Sequence, residues 1–207
     1  GQQEEKSIMS EKKYVAYVGS YTHGSSRQGI HVYDVDVENG TLTERSSVEV
    51  SNASHMAVSK NGKYLYSIED EGVAVFKRDH NGDLARINSV DIDGMRGCFL
   101  ATDVDGKYLY VAGYHDGKVT VVHTHKDGRL GSVMDGVFHT GLGSVAERNF
   151  RPHVNCVRPT PDNKYLCAVD NGIDQVKIYR VNKLRNKLEL VDILRCPRES
   201  GPRIIRF

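Results

Sequence analysis

One phrase recurs three times and limits what this chain can fold into: NGKYLYSI from Asn61, DGKYLYVA from Asp105 and DNKYLCAV from Asp162. Each copy joins a tight turn to an apolar strand. Asn-Gly and Asp-Gly supply the positive backbone dihedrals that hairpin turns require, and Asn163 is among the better non-glycine residues for that conformation. Tyr64, Leu65 and Tyr66, like Tyr108, Leu109 and Tyr110, are apolar at successive positions, a pattern that demands cover on both strand faces. Gly, Asn-Gly and Asp-Gly interrupt almost every run before a helix of three turns could form.

Each phrase sits inside a longer unit. It is preceded by an opening run (SHMAVS, GCFLATDV or HVNCVRP) and followed by a second run (GVAVFKR, GKVTVVHTH or DQVKIYRV). A further turn then leads to a terminal run such as ARINSVDI or ELVDILR. Four antiparallel strands per unit, repeated, make a propeller blade. The first unit supplies only KYVAYVGSY, GIHVYDVDV and TERSSVEV and lacks its opening strand, whereas the terminal GPRIIRF reads as the opening strand of another unit. The fold class is therefore all-β, a β-propeller of four-stranded antiparallel blades. Residues 12–207 are expected to form a partial propeller of about four blades, and residues 1–11 a disordered or tag-proximal tail. RIIRF could complete the first blade of a four-bladed ring, but the preferred reading is the N-terminal portion of a larger propeller. Its open edge would permit self-association.

Composition removes several function classes. Lys and Arg number 28 against 27 Asp and Glu, for a net charge of +1, so no general attraction to nucleic acid or anionic lipid is expected. The tyrosines lie in strand cores instead of alternating with a basic stripe, which further counts against nucleic acid. No apolar run approaches the roughly 20 residues needed to cross a bilayer as a helix, and the expected location is cytoplasmic. Cys98, Cys156, Cys167 and Cys196 include no C-x-x-C pair and read as reduced, mostly buried thiols. No metal-ligand pattern, P-loop, GxGxxG, HExxH or GxSxG motif stands in a useful context, so neither metal nor organic cofactor is expected.

The repeat is interrupted by MDGVFHTGLGSVAERNFRPH, ahead of the third phrase. Insertions in repeat proteins map to loops on one face, often the binding face, though a tolerated surface loop fits equally well. His153 follows Pro152 at the end of this segment and opens an innermost strand. Its free pKa near neutrality suits acid–base work, and a hydrogen-bonded structural role is the alternative. His153, Asn155 and Val157 should point one way, and Val154, Cys156 and Arg158 the other. Asn155 could orient His153 or a ligand. Arg203, after Gly201-Pro202, holds the corresponding region of the next unit and could bind phosphate or stabilise an oxyanion. Arg151, Arg158 and Arg148 are weaker candidates, and His139 and Glu147 are candidate loop ligands.

YVGSYT at 17–22, GIHVYDVDVENGTL, SHMAVSKNGKYLYSI, PHVNCVRPTPDNKYLCAVDNGIDQVKIY at 152–179 and SGPRIIRF occur in this order. Together they resemble the lactonase family of seven-bladed propellers, which includes bacterial 6-phosphogluconolactonases and related fungal muconate cyclases. The resemblance implies a hydrolase of carbohydrate metabolism, in the pentose phosphate pathway, acting on a small lactone or phosphorylated sugar acid without a cofactor. It matches His153 to the family's histidine after proline and Arg203 to the arginine of its GPR phrase, the catalytic pair. Arg151, Asn155, His139 and Glu147 would then bind substrate. A non-catalytic propeller that binds a partner or small ligand, or a muconate-cyclase-like enzyme, are the alternatives. The chain departs from the family at Asn155, where a second histidine is usual, and at DNG 170–172, where DLG is usual. It also ends before the family's following Asn-Glu segment and the acidic partner expected there.

Overall fold

The computed structural model describes residues 13–22, 28–140, 151–198 and 200–207; the tail expected at 1–11 lies outside them. Strands β1 (Tyr14–Gly19), β2 (Gln28–Asp36) and β3 (Thr41–Glu49) form a three-stranded antiparallel sheet. Three four-stranded antiparallel sheets follow. The first is β4 (Met56–Val58), β5 (Tyr64–Glu69), β6 (Gly72–Arg78) and β7 (Leu84–Asp91). The next is β8 (Phe99–Thr102), β9 (Tyr108–Gly113), β10 (Lys118–Thr124) and β11 (Leu130–Phe138). The last is β12 (Val154–Pro159), β13 (Tyr165–Asp170), β14 (Gln175–Asn182) and β15 (Lys187–Arg195). Strand order follows chain order in every sheet, and the opening strands β4, β8 and β12 neighbour one another. These are propeller blades, the first without its opening strand.

The doubly apolar phrases are explained by where alternate residues go. Tyr108 and Tyr110 join Val154 and Leu166 in a core between the third and fourth blades. Leu109 and Val111 turn to the other face and pack with Tyr66, Ile68 and Val73 of the second blade. Leu65 and Phe76 in turn meet Ile30 and Val50 of the first. The strands β5, β9 and β13 thus bury both faces, and each large side chain so enclosed stabilises the fold by about 1.5–3 kcal/mol. The turns before these strands carry the expected positive φ at Gly62 (73°), Gly106 (70°) and Asn163 (60°).

Two expectations need correction. Residues 200–207 form no strand, and among the described residues β1 pairs with β2 alone. The four-bladed closure is therefore not formed. Met134 to Phe138, assigned above to an insertion loop, continue β11 against β10. The two outermost strands of all four blades also share a bulge, at Val32/Tyr33, Val75/Phe76, Val121/Val122 and Ile178/Tyr179. Such a bulge raises local twist, and no residue type marks it in the sequence.

Candidate functional site

His153 stands immediately before β12, at the mouth formed by the starts of the opening strands. Its backbone N–H donates to Asp170 Oδ1 at 2.9 Å, and its carbonyl accepts from Asn171 N at 3.2 Å. The ring is held separately. Nδ1 lies 2.6 Å from the Tyr114 carbonyl oxygen, and the imidazole stacks on the Tyr114 ring at 4.3 Å and 12°. A carbonyl only accepts, so Nδ1 carries the proton and Nε2 of the neutral ring keeps its lone pair. His153 is 7% exposed.

Asp170, the last residue of β13, is fully buried and organises the mouth from beneath. Oδ1 accepts from the backbone N–H groups of His153 and Gly172 at 2.9 Å and of Ile173 at 3.3 Å. Oδ2 lies 2.7 Å from His139 Nδ1. Burying a carboxylate is costly unless donors satisfy it, and here four do. Burial outweighs the attraction of Asp170 and holds His139 below the usual histidine range. His139 is therefore neutral near pH 7, with Nδ1–H donating to Asp170. Its Nε2 is buried with no hydrogen-bond partner among the described residues.

Gly172 makes this packing achievable. A Cβ there would lie 2.1 Å from the Arg151 carbonyl oxygen and 2.8 Å from His153 N. The same turn reaches the terminal segment, since Asp174 Oδ1 accepts from Gly201 N at 2.9 Å. Arg203 is thereby tethered, two residues later, to the end of the fourth blade that carries His153. Its own side chain is exposed and makes no hydrogen bond or ion pair among the described residues.

The remaining candidates fall in different places. Asn155 donates from Nδ2 to the His153 carbonyl at 3.3 Å, but it is a bulge residue: Val154 pairs with Asp170 and Cys156 with Val169. The bulge shifts the alternation expected for this strand. Val154 and Val157 share one core cluster, while Cys156 joins another with Cys167. His139 is no loop ligand; it is buried behind Asp170. Arg151 is exposed beside the mouth, and Arg158 sits at the opposite end of β12. Glu147 and Arg148 lie outside the described residues. Sequence reasoning missed Asp170 and Tyr114. The signal for Asp170 was an acid closing the apolar run YLCAVD, where it must be buried and hence must find donors.

No group of three or more His, Cys, Asp or Glu among the described residues could hold a metal ion. The arrangement instead offers a fixed imidazole whose Nε2 is not engaged by the described residues, with the exposed Arg203 two residues beyond the Gly201 tether. That combination can take a proton from water and stabilise an oxyanion.

A family model described as lactonase, 7-bladed beta-propeller, matches residues 15–207. The chain is 38% identical over 175 residues to a 6-phosphogluconolactonase of Bacillus subtilis, covering 82% of this chain and 50% of that protein. It is 31% identical to a 6-phosphogluconolactonase of Formosa agariphila, covering 92% and 57%. Among solved structures, the periplasmic gluconolactonase of Pseudomonas aeruginosa superposes with a TM-score of 0.84 at 29% identity, over 93% of this chain and 57% of that one. The chain spans about half the length of the curated relatives it matches.

Proposed function

Because the chain belongs to the lactonase family of seven-bladed β-propellers, we propose that the intact protein hydrolyses a sugar lactone, 6-phosphogluconolactone, to 6-phosphogluconate. The observation that carries this reading is the state of His153: Nδ1–H is committed to the Tyr114 carbonyl, which leaves Nε2 as the acceptor at the mouth. In the proposed reaction Nε2 takes a proton as a water oxygen attacks the lactone carbonyl. Arg203 stabilises the resulting oxyanion or holds the phosphate. The ring C–O bond then breaks, and the proton on Nε2 passes to the departing ring oxygen. Water, one base and one cation balance the step without a cofactor.

Arg151, Asn155 and Glu147 are proposed to contact substrate. His139 acts instead as a positioning residue, through Asp170. No helix of the described residues is long and apolar enough to cross a membrane. We place the reaction in the cytoplasm, within the pentose phosphate pathway; four free thiols suit a reducing compartment.

Proton release from 6-phosphogluconolactone, from unphosphorylated gluconolactone and from a muconate lactone tests the reading. The phosphorylated lactone should open fastest above its spontaneous rate. Turnover of the muconate lactone alone would transfer the mouth to cyclase chemistry, and saturable binding of all three without turnover would overturn the enzyme reading.

A further inference from the structure

The other end of β12 carries a second concentration of positive charge. A cavity of about 460 Å³ lies between the ends of β4, β8 and β12 and the terminal segment. Arg158, Lys60 and Arg206 line it together with Thr102 and Phe207, and none of its lining residues among the described ones is Asp or Glu. Its size falls within the range of small-molecule sites, roughly 300–1,000 Å³. Arg158 lies five positions after His153 along an extended segment, a rise of about 16 Å. A sugar lactone held at His153 would not reach it.

Arg158 gives this cavity its meaning. It is half-buried, and its Nε is shielded from solvent with no hydrogen-bond partner among the described residues. The guanidinium lies over the Phe99 ring at 5.3 Å and forms no ion pair there. It is close enough to His55 to add to the burial that depresses that imidazole's pKa. A donor shielded from water without an acceptor is costly. The fold retains that cost beside a cavity whose described lining bears two more cations and no acid.

We propose that this cavity is a second anion site, distinct from the His153 mouth, that takes a small multivalent oxyanion on Arg158 with Lys60 and Arg206 closing around it. A planar guanidinium suits bidentate oxyanion contacts. The site stands whether or not the protein is a lactonase.

Inorganic phosphate and succinate, each titrated into the protein by calorimetry at low ionic strength, test the site and separate phosphate from carboxylate sources. At least one should bind saturably, with affinity weakened about tenfold or more in Arg158→Gln. Arg206→Gln, at an exposed position that cannot threaten folding, should weaken it by a smaller factor. Loss of affinity in both variants, with the lactone-opening rate of the Arg206→Gln protein unchanged, supports a separate site. No saturable binding by either anion, or equal binding by wild type and both variants, overturns it.

Discussion

At one end β12 runs into the turn at 160–165, and at the other it meets the His153 mouth; the two are held by different kinds of contact. In the turn, Thr160 Oγ1 donates to Asp162 Oδ1 at 2.6 Å, and Lys164 N donates to the same oxygen at 3.1 Å. All of these groups are neighbours in the chain, and Asp162 is exposed. At the mouth, Asp170 is buried and its oxygens gather donors from residues 139, 153, 172 and 173. The turn is a local solution that any blade can reuse. The mouth is a non-local one, built once, in which a single carboxylate ties two blade edges and the candidate base together. Repetition in the sequence marks what each blade needs separately, whereas the site depends on the residues that do not repeat.

The contrast sets the expected order of mutational effects. Asp170→Ala should be the most damaging, because several buried donors lose their acceptor at about 1–3 kcal/mol each. Urea melts should show a loss of about 3 kcal/mol or more. Gly172→Ala comes next: the added methyl collides with backbone at Arg151 and His153, for a loss of about 1–3 kcal/mol and a lower kcat at little-changed KM.

A smaller, pH-dependent effect belongs to His139. Its folded pKa lies below its unfolded value, so the unfolded chain binds more protons between the two. This stabilisation is fully present above about pH 6.5, declines as pH falls below that value, and levels off beneath the folded pKa. Melts at pH 7.5 and pH 5 should show a decline that is reduced in His139→Asn. The least effect is expected in the turn. Asn163→Gly, which copies the other two phrases at a positive-φ position, should shift stability by no more than about 0.5 kcal/mol.

The fold was legible because its signals are local. Turn residues at Asn61-Gly62, Asp105-Gly106 and Asp162-Asn163 and the doubly apolar Tyr-Leu-Tyr strands required stacked sheets, and the structure stacks them. His153 was legible as a polar residue at a strand mouth, and the tether from Asp174 to Gly201 brings Arg203 to the same end of the blade. What could not be read was what depends on register and burial. A bulge at Asn155 moves Cys156 off the face expected for Val154, and no residue type announces it. His139 looked like a loop ligand because the strand just before it, β11, runs further than its glycines suggested. Asp170 was visible only as part of a turn, since its four donors come from three separate segments.

His153 Nε2, left open by the commitment of Nδ1 to the Tyr114 carbonyl, is the proposed base of the mouth. Its most direct test is the initial rate of 6-phosphogluconolactone opening by intact protein with His153→Gln, compared with wild type at pH 7 after subtraction of spontaneous hydrolysis. Loss of a general base should lower kcat by about 10²–10⁴-fold, while the melting midpoint confirms a folded variant. A folded His153→Gln protein that retains kcat within a factor of about two, where loss of a base predicts at least a hundredfold fall, would contradict the account.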